Sequence, residues 1–290
     1  MRPVLDRVEL PGGPSDVRSL LRVPPGRVRL ADYPTDSHPG SHGKTAALTD
    51  RHALEPVLAG LQERCYAQGH RTPDRRRLVL VLQGMDCSGK DGAIKHVVGA
   101  FDPEGVKITS FKRPTAEELR HHFLWRVERA LPGPGDIGVL NRSHYEDVTI
   151  VRVHDLVPRE QWERRYDEIN EWERRESDDG VIWLKVFLHI SAEEQRRRLL
   201  KRLDDPSKHW KFEAADLDER GYWDDYQRAY EVLLERCSPP QAPWYVLPAD
   251  RKWYRDWALA RLLAETLAAM DPRYPEPDLD LAALRARLSA

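Results

Sequence analysis

Residues 78–92 read LVLVLQGMDCSGKDG, and the fold follows from this stretch. Leu78–Gln83 is a mostly apolar run suited to a buried strand, and it leads directly into a loop framed by Gly84 and Gly89 and closed by Lys90. A buried strand, a tight glycine loop and a helix start, in that order, form a cradle for phosphate. Backbone N–H groups surround the anion, the lysine neutralises it, and the helix N-terminus adds a favourable dipole. The spacing Gly84-x4-Gly89-Lys90 matches the Walker A pattern, except that Asp91 stands where Ser or Thr ordinarily offers a hydroxyl to magnesium. That departure points away from ordinary GTPases and ATPases. Gly84, Gly89, Lys90, Asp91 and Gly92 are the candidate phosphate-binding positions of the loop.

Composition narrows the class. A chain of 290 residues with 40% hydrophobic and 32% charged residues can bury one large core or two small ones. A net charge of −2 argues against a general nucleic-acid binder, although basic patches can sit within a neutral total. Cys65, Cys87 and Cys237 are too few and too widely spaced for a disulfide framework or a metal knuckle, which suits a reducing compartment. The opening MRPVLDRVELPGG lacks the continuous apolar stretch of a signal peptide, and no run approaches membrane-spanning length. The expectation is a cytoplasmic protein with neither nucleic acid nor membrane as partner.

Residues 1–47, rich in Pro, Gly and Asp, are expected to form an extended arm that wraps its own domain or a neighbouring subunit. Leu54, Val57, Leu58, Leu61 and Cys65 recur at helical spacing between Thr49 and Gln68, with Gly69 as the stop. From Leu78 onward apolar strands (Leu78–Gln83, Val106–Phe111, Ile137–Asn141, Val181–Ile190, Trp244–Leu247) alternate with amphipathic helices. The helices are placed at 89–100, 116–130, 158–176, 192–203, 219–236 and 251–270. In the third, Trp162, Tyr166, Ile169 and Trp172 or Glu173 mark a buried stripe, and Pro158 suits a first turn. Such alternation predicts an α/β fold: a P-loop kinase-like three-layer α/β/α sandwich around a central parallel sheet, with a helical lid. Its ligands belong at the carboxyl ends of the strands. The kinase-like domain is expected over residues 48–270, its lid over about 192–226, and a Pro-rich tail that finishes as a short helix over 271–290.

Asp86 lies inside the glycine loop, where a lone carboxylate would repel phosphate. It reads either as a ligand for magnesium shared with phosphate oxygens or as an Asp capping its own loop. The third strand runs into IGVLNRSHYEDV, which puts Asn141 at its end and Arg142 at the sheet edge, where a guanidinium fork can grip a transferring phosphoryl group. Glu146 and Asp147 follow, while His144 and Tyr145 suit either base stacking or packing. Residues 195–211, QRRRLLKRLDDPSKHWK, set Arg196, Arg197, Arg198, Lys201, Arg202, Lys208 and Lys211 against Asp204 and Asp205. A charge run is ordinarily a solvated face. Here it follows a strand and is broken by a loop able to move, as in a lid that closes over phosphates. Lys112 and Arg113 add cations after the second strand. So much positive charge exceeds the need of one nucleotide and hints at a polyanionic substrate. Most tryptophans fall on apolar stripes; Trp210, in the lid loop, does not.

GMDCSGKDG, SFKRPTAEEL, NRSHYEDV, RRRLLKRLDDPSKHWKF and APWYVLPADRKW, in this order, resemble the polyphosphate kinase 2 family over roughly Val28 to Pro277. The NRSHYEDV form is similar to the branch that phosphorylates nucleoside monophosphates as well as diphosphates. The resemblance implies reversible transfer of the terminal phosphoryl group of inorganic polyphosphate to AMP and ADP, giving ADP and ATP. It implies magnesium as cofactor, with manganese as the alternative ion, and a homodimer or homotetramer. The family's catalytic roles fall on Asp86, Lys90, Arg142 and Arg202, and its metal on Asp86 and Glu146. Asn141, Tyr145, Glu146 and Asp147 are the implied nucleotide-binding set, although Asn141 offers only a neutral oxygen where some relatives carry a carboxylate. Lys112, Arg113, Arg198, Lys201, Lys208 and Lys211 complete the phosphate-binding set. The rival readings are an ATP-dependent P-loop kinase of a small metabolite or nucleotide, and a non-catalytic polyanion-binding module.

Overall fold

The computed structural model describes residues 10–11 and 16–290, so most of the first fifteen residues of the expected arm lie outside the described residues. Five strands, β1 (Arg77–Gln83), β2 (Val106–Ser110), β3 (Ile137–Asn141), β4 (Val181–His189) and β5 (Trp244–Pro248), form one sheet in the order β2-β3-β1-β4-β5. Every pairing is parallel, which brings all carboxyl ends to one edge. β1 is central and buried along its whole length, as its continuous apolar run requires. It lies between β3 on one side and β4 on the other, so the strand order reverses at β1, and the glycine loop leaves from its carboxyl end.

Helices cover the sheet. Lys44–Arg71 packs along Lys252–Met270 with Leu54, Leu58, Leu61 and Cys65 turned inward. Arg159–Asp178 buries Trp162, Tyr166, Ile169, Trp172 and Glu173, so Pro158 does precede the first turn and the expected stripe does face the core. The arm packs on its own domain. Val17, Leu21, Val23 and Leu30 are buried, Val23 N–H bonds Trp244 O, and Arg22 bridges Tyr245 at the free edge of β5. A covered edge no longer offers unpaired backbone groups to another chain.

Three expectations need correction. Gly69 does not end its helix, which continues to Arg71. It is a packing glycine, because a Cβ there would lie 2.5 Å from Gly135 Cα and Pro134 C. The single helix over 116–130 is instead a 3-10 turn (Glu118–Arg120) and a short helix (Trp125–Glu128). Only Leu124, Val127 and Ala130 of its apolar residues are buried and Leu119 is exposed, an apolar face too short to hold four turns. The helix expected over 219–236 is divided at Gly221 and Tyr222 into Ala215–Arg220 and Trp223–Arg236.

Gly69→Ala tests the close approach. Helix propensity alone would stabilise by about 1 kcal/mol, whereas the clash with backbone should destabilise by about 1–3 kcal/mol. Urea denaturation should show a net loss of stability.

Candidate active site

The phosphate loop is built from unusual backbone. Gly84 (φ +147°) and Gly89 (φ +104°) occupy regions that L side chains avoid, and a Cβ on Gly84 would meet Leu188 O at 2.6 Å. Cys87, with φ +65°, is held in the left-handed region without that freedom. The buried Lys90 ammonium turns back onto the loop, donating to Gly84 O (2.7 Å) and Met85 O (3.3 Å). Burial, followed by the neighbouring Arg142 charge, lowers Lys90 to about 8.

Two guanidiniums hold the loop from behind. Arg198 donates Nη1 to Cys87 O (2.8 Å) and Ser88 O (2.9 Å), Nη2 to Ala249 O (2.5 Å) and Asp250 O (3.2 Å), and Nε to Glu194 (2.6 Å). All five donors are used. Arg198, expected to bind phosphate, therefore supports the loop and has no N–H left for a ligand. Arg255 donates to Gly89 O at 3.2 Å and packs where a Cβ on Gly92 would come within 3.1 Å, so these glycines make room for it. Arg255 lies two residues beyond the last matching motif and was not among the expected site residues.

Arg142 stands at the end of β3 in the left-handed region (φ +62°), with its N–H fixed to Leu82 O. Its guanidinium bridges two carboxylates, Nη2 to Asp86 Oδ1 at 2.8 Å and Nη1 to Glu146 Oε2 at 3.2 Å. Glu146, then Asp86, raise its already high pKa further, against the effect of burial. Asp86 Oδ2 and Glu146 Oε1 receive no hydrogen bond among the described residues. Asp86, Arg142 and Glu146 line one pocket with Glu219, Tyr226 and Tyr230. Glu219 and Tyr226, unforeseen from the sequence, are joined by a 2.9 Å hydrogen bond, and His154 adds a 3.0 Å contact to Glu219.

Three further expectations change. Tyr145 is wholly buried, its hydroxyl between Glu173 and Lys185, and cannot stack on a base. Asp147 turns to Arg165 at 3.0 Å rather than to the pocket, and burial pushes its carboxyl up to about 6. Asp91 is exposed and bonds Asn141 Nδ2 (3.0 Å) and Lys211 Nζ (3.3 Å). Although burial opposes it, these two partners keep Asp91 below its ordinary pKa, so an ionised side chain here repels phosphate rather than binding it. The same contacts tie Asn141 and the lid to the loop helix.

The remaining expected cations lie outside the residues that line this pocket. The segment expected to serve as a lid comprises Ala192–Asp204, the turn Pro206–Lys211 and Ala215–Arg220. Within it Arg202 reaches Lys211 O (3.4 Å) and Asp216 (3.5 Å), both long, while Lys208 pairs with Asp205 at 2.6 Å. Lys201, Lys112 and Arg113 are exposed, and Arg126 pins the latter loop through Lys112 O at 2.9 Å. Trp210 is 78% exposed beside Lys211, in keeping with its exclusion from the core.

A parallel sheet with a glycine loop at its central switch point, a buried loop lysine and a carboxylate-bracketed arginine defines a P-loop phosphotransferase. The family model for polyphosphate kinase 2 matches residues 43–275, and the chain belongs to that family. It is 46% identical over 256 residues to the AMP/ADP-polyphosphate phosphotransferase of Meiothermus ruber, covering 88% of this chain and 94% of that one. It is 42% identical over 262 residues to the ADP-polyphosphate phosphotransferase of Rhodopseudomonas palustris, covering 86% and 89%. The crystal structure of polyphosphate kinase 2 from Arthrobacter aurescens superposes with a TM-score of 0.91 at 46% identity, over 94% of this chain and 96% of that one.

The buried Lys90 yields a linkage test. A lysine lowered to about 8 is partly neutral in the free protein at pH 8–9, and a bound polyanion favours its charged form. Binding of tripolyphosphate should take up a proton there and weaken by up to about tenfold per pH unit as pH rises above this range. Calorimetry in buffers of different ionisation enthalpy should detect the uptake. Lys90→Arg, whose guanidinium stays charged, should abolish it.

Proposed function

We propose that the protein transfers the terminal phosphoryl group of inorganic polyphosphate to AMP and ADP, forming ADP and ATP, reversibly and with a divalent metal, magnesium or manganese. The observation that carries this reading is the Arg142 guanidinium bracketed by Asp86 and Glu146 beside the Lys90 loop, in a chain of this family. The names of the two relatives, one acting with AMP and ADP and one with ADP, support the acceptors.

Asp86 and Glu146 present hard oxygen donors with one oxygen each free of protein hydrogen bonds, which fits a divalent cation. When bound, such an ion neutralises phosphate oxygens and favours in-line displacement. The protein's own contribution is electrostatic. The acceptor phosphate has a second pKa of about 6 and needs no strong base. One P–O bond to the polyphosphate chain breaks as one forms to the acceptor oxygen, and the shortened chain leaves as an anion. Lys90 and Arg142, joined by Arg202 from the lid, gather the oxygens of the migrating group and offset anion–anion repulsion. Lys112, Arg113, Lys201 and Lys211 extend the positive surface for a longer chain, while Asn141 orients the loop through Asp91.

No helix among the described residues is long and apolar enough to cross a membrane. We place the reaction in the cytoplasm, where AMP and ADP are available, in a homodimer or homotetramer.

Incubating purified protein with magnesium, long-chain polyphosphate and AMP, without ATP, should give ADP and then ATP by nucleotide chromatography. Formation from neither AMP nor ADP would overturn the reading. Asp86→Asn and Arg142→Ala should each keep the fold, by circular dichroism, and lower turnover on the order of 10^3-fold or more.

A further inference from the structure

Beneath the Arg142–Glu146 turn lies a polar cluster that no substrate can touch. Lys185 on β4 and Glu173 on the helix 159–178 are both fully buried and pair at 2.6 Å. Lys185 spends its other donors on Tyr145 Oη (2.8 Å) and Cys237 O (2.8 Å). Glu173 Oε1 accepts from Tyr145 Oη (2.7 Å) and from His144 Nε2 (3.1 Å). Since a carboxylate only accepts, His144 carries its proton on Nε2. Nδ1 is buried and has no hydrogen-bond partner among the described residues.

A buried ion pair is poor value for stability alone. Desolvating both charges costs several kcal/mol per ion, and apolar residues of similar volume often serve as well. This pair nevertheless holds two consecutive residues of the turn that bears Arg142 and Glu146. Arg142 needs such restraint, because a non-glycine residue at φ +62° sits in a sparsely populated region, at a cost of roughly 1–3 kcal/mol. Restraint comes from both sides: Arg142 N–H bonds Leu82 O, Gln83 Nε2 bonds Ser143 Oγ at 3.1 Å, and Glu146 N–H bonds Ser143 O at 3.1 Å.

We propose that Glu173, Lys185 and Tyr145 are positioning residues for phosphoryl transfer, holding the strained turn so that Arg142 and Glu146 meet the migrating group in register. The inference rests on the function proposed above. Its signature is a loss in kcat rather than in nucleotide KM, since the arginine's grip matters most in the transition state.

Tyr145→Phe keeps the ring and removes only the hydroxyl, and Glu173→Met/Lys185→Met removes both charges while keeping apolar volume. Each should stay folded at the assay temperature by thermal melting. Each should lower kcat by about 10- to 100-fold, as expected for misplacement on the ångström scale, with KM for ADP within about twofold. In an Arg142→Lys background Tyr145→Phe should cause little further loss, because both act through one group. Wild-type activity measured alongside separates the two readings: an inactive wild type defeats the proposed function. An active wild type with kcat within about twofold in both folded variants overturns this inference. So does an equal loss in the Arg142→Lys background. Failure of both variants to fold overturns it too, because the pair then serves the fold rather than the turn.

Discussion

The site depends on a conflict between charges that the backbone resolves. Polyanion binding demands many cations around one loop, and cations in proximity repel one another and resist burial. Arg198 and Arg255 show the solution. Their guanidiniums lie under the loop and donate to carbonyls of Cys87, Ser88 and Gly89, so positive charge is drawn toward the phosphate position by groups that never contact it. The loop carbonyls that would otherwise face a bound anion are turned away and satisfied. Glu194 and Asp256, at 2.6 Å from these arginines, make the arrangement tolerable in the interior.

The same balance governs the open side of the site. Arg142 sits between Asp86 and Glu146, so its position is set before any ligand arrives. A fixed guanidinium loses little entropy when it grips an oxygen, which is the advantage of preorganisation. The carboxylates that hold it are also the proposed oxygen ligands of a divalent cation, so that in this reading one pair of side chains serves two ends.

The aspartate that replaces the usual Walker A hydroxyl has a structural account. Asp91 links the end of β3, through Asn141, to the lid, through Lys211. At 3.3 Å between a partly buried lysine and an exposed aspartate, this contact is worth about 0–1 kcal/mol. A contact that weak leaves the Lys211 ammonium available to a competing anion, as the proposed role of this segment in phosphate binding requires.

Local patterns made much of this legible. A continuous apolar run followed by glycines at fixed spacing and a helix start is legible as a buried strand and a phosphate loop, because both depend on backbone geometry within fifteen residues. The stripe from Trp162 to Glu173 was readable for the same reason, down to an acidic residue on an apolar face. Sorting the basic run was beyond the sequence. Arg198 and Arg202 share one helical face, yet the first is consumed by carbonyls that include those of Cys87 and Ser88, 111 and 110 residues earlier in the chain, and the second remains near the turn Pro206–Lys211. Tyr145 and Asp147 flank Glu146, but only packing against Glu173 and Arg165 turns them inward and leaves Glu146 in the pocket. Arg255, Glu219 and Tyr226 belong to no local motif and join the site because distant helices converge there. The sequence by itself determined the strand, the loop and the cations available. The tertiary structure decided which cations face a ligand, because burial and partner are set by atoms far apart in the chain.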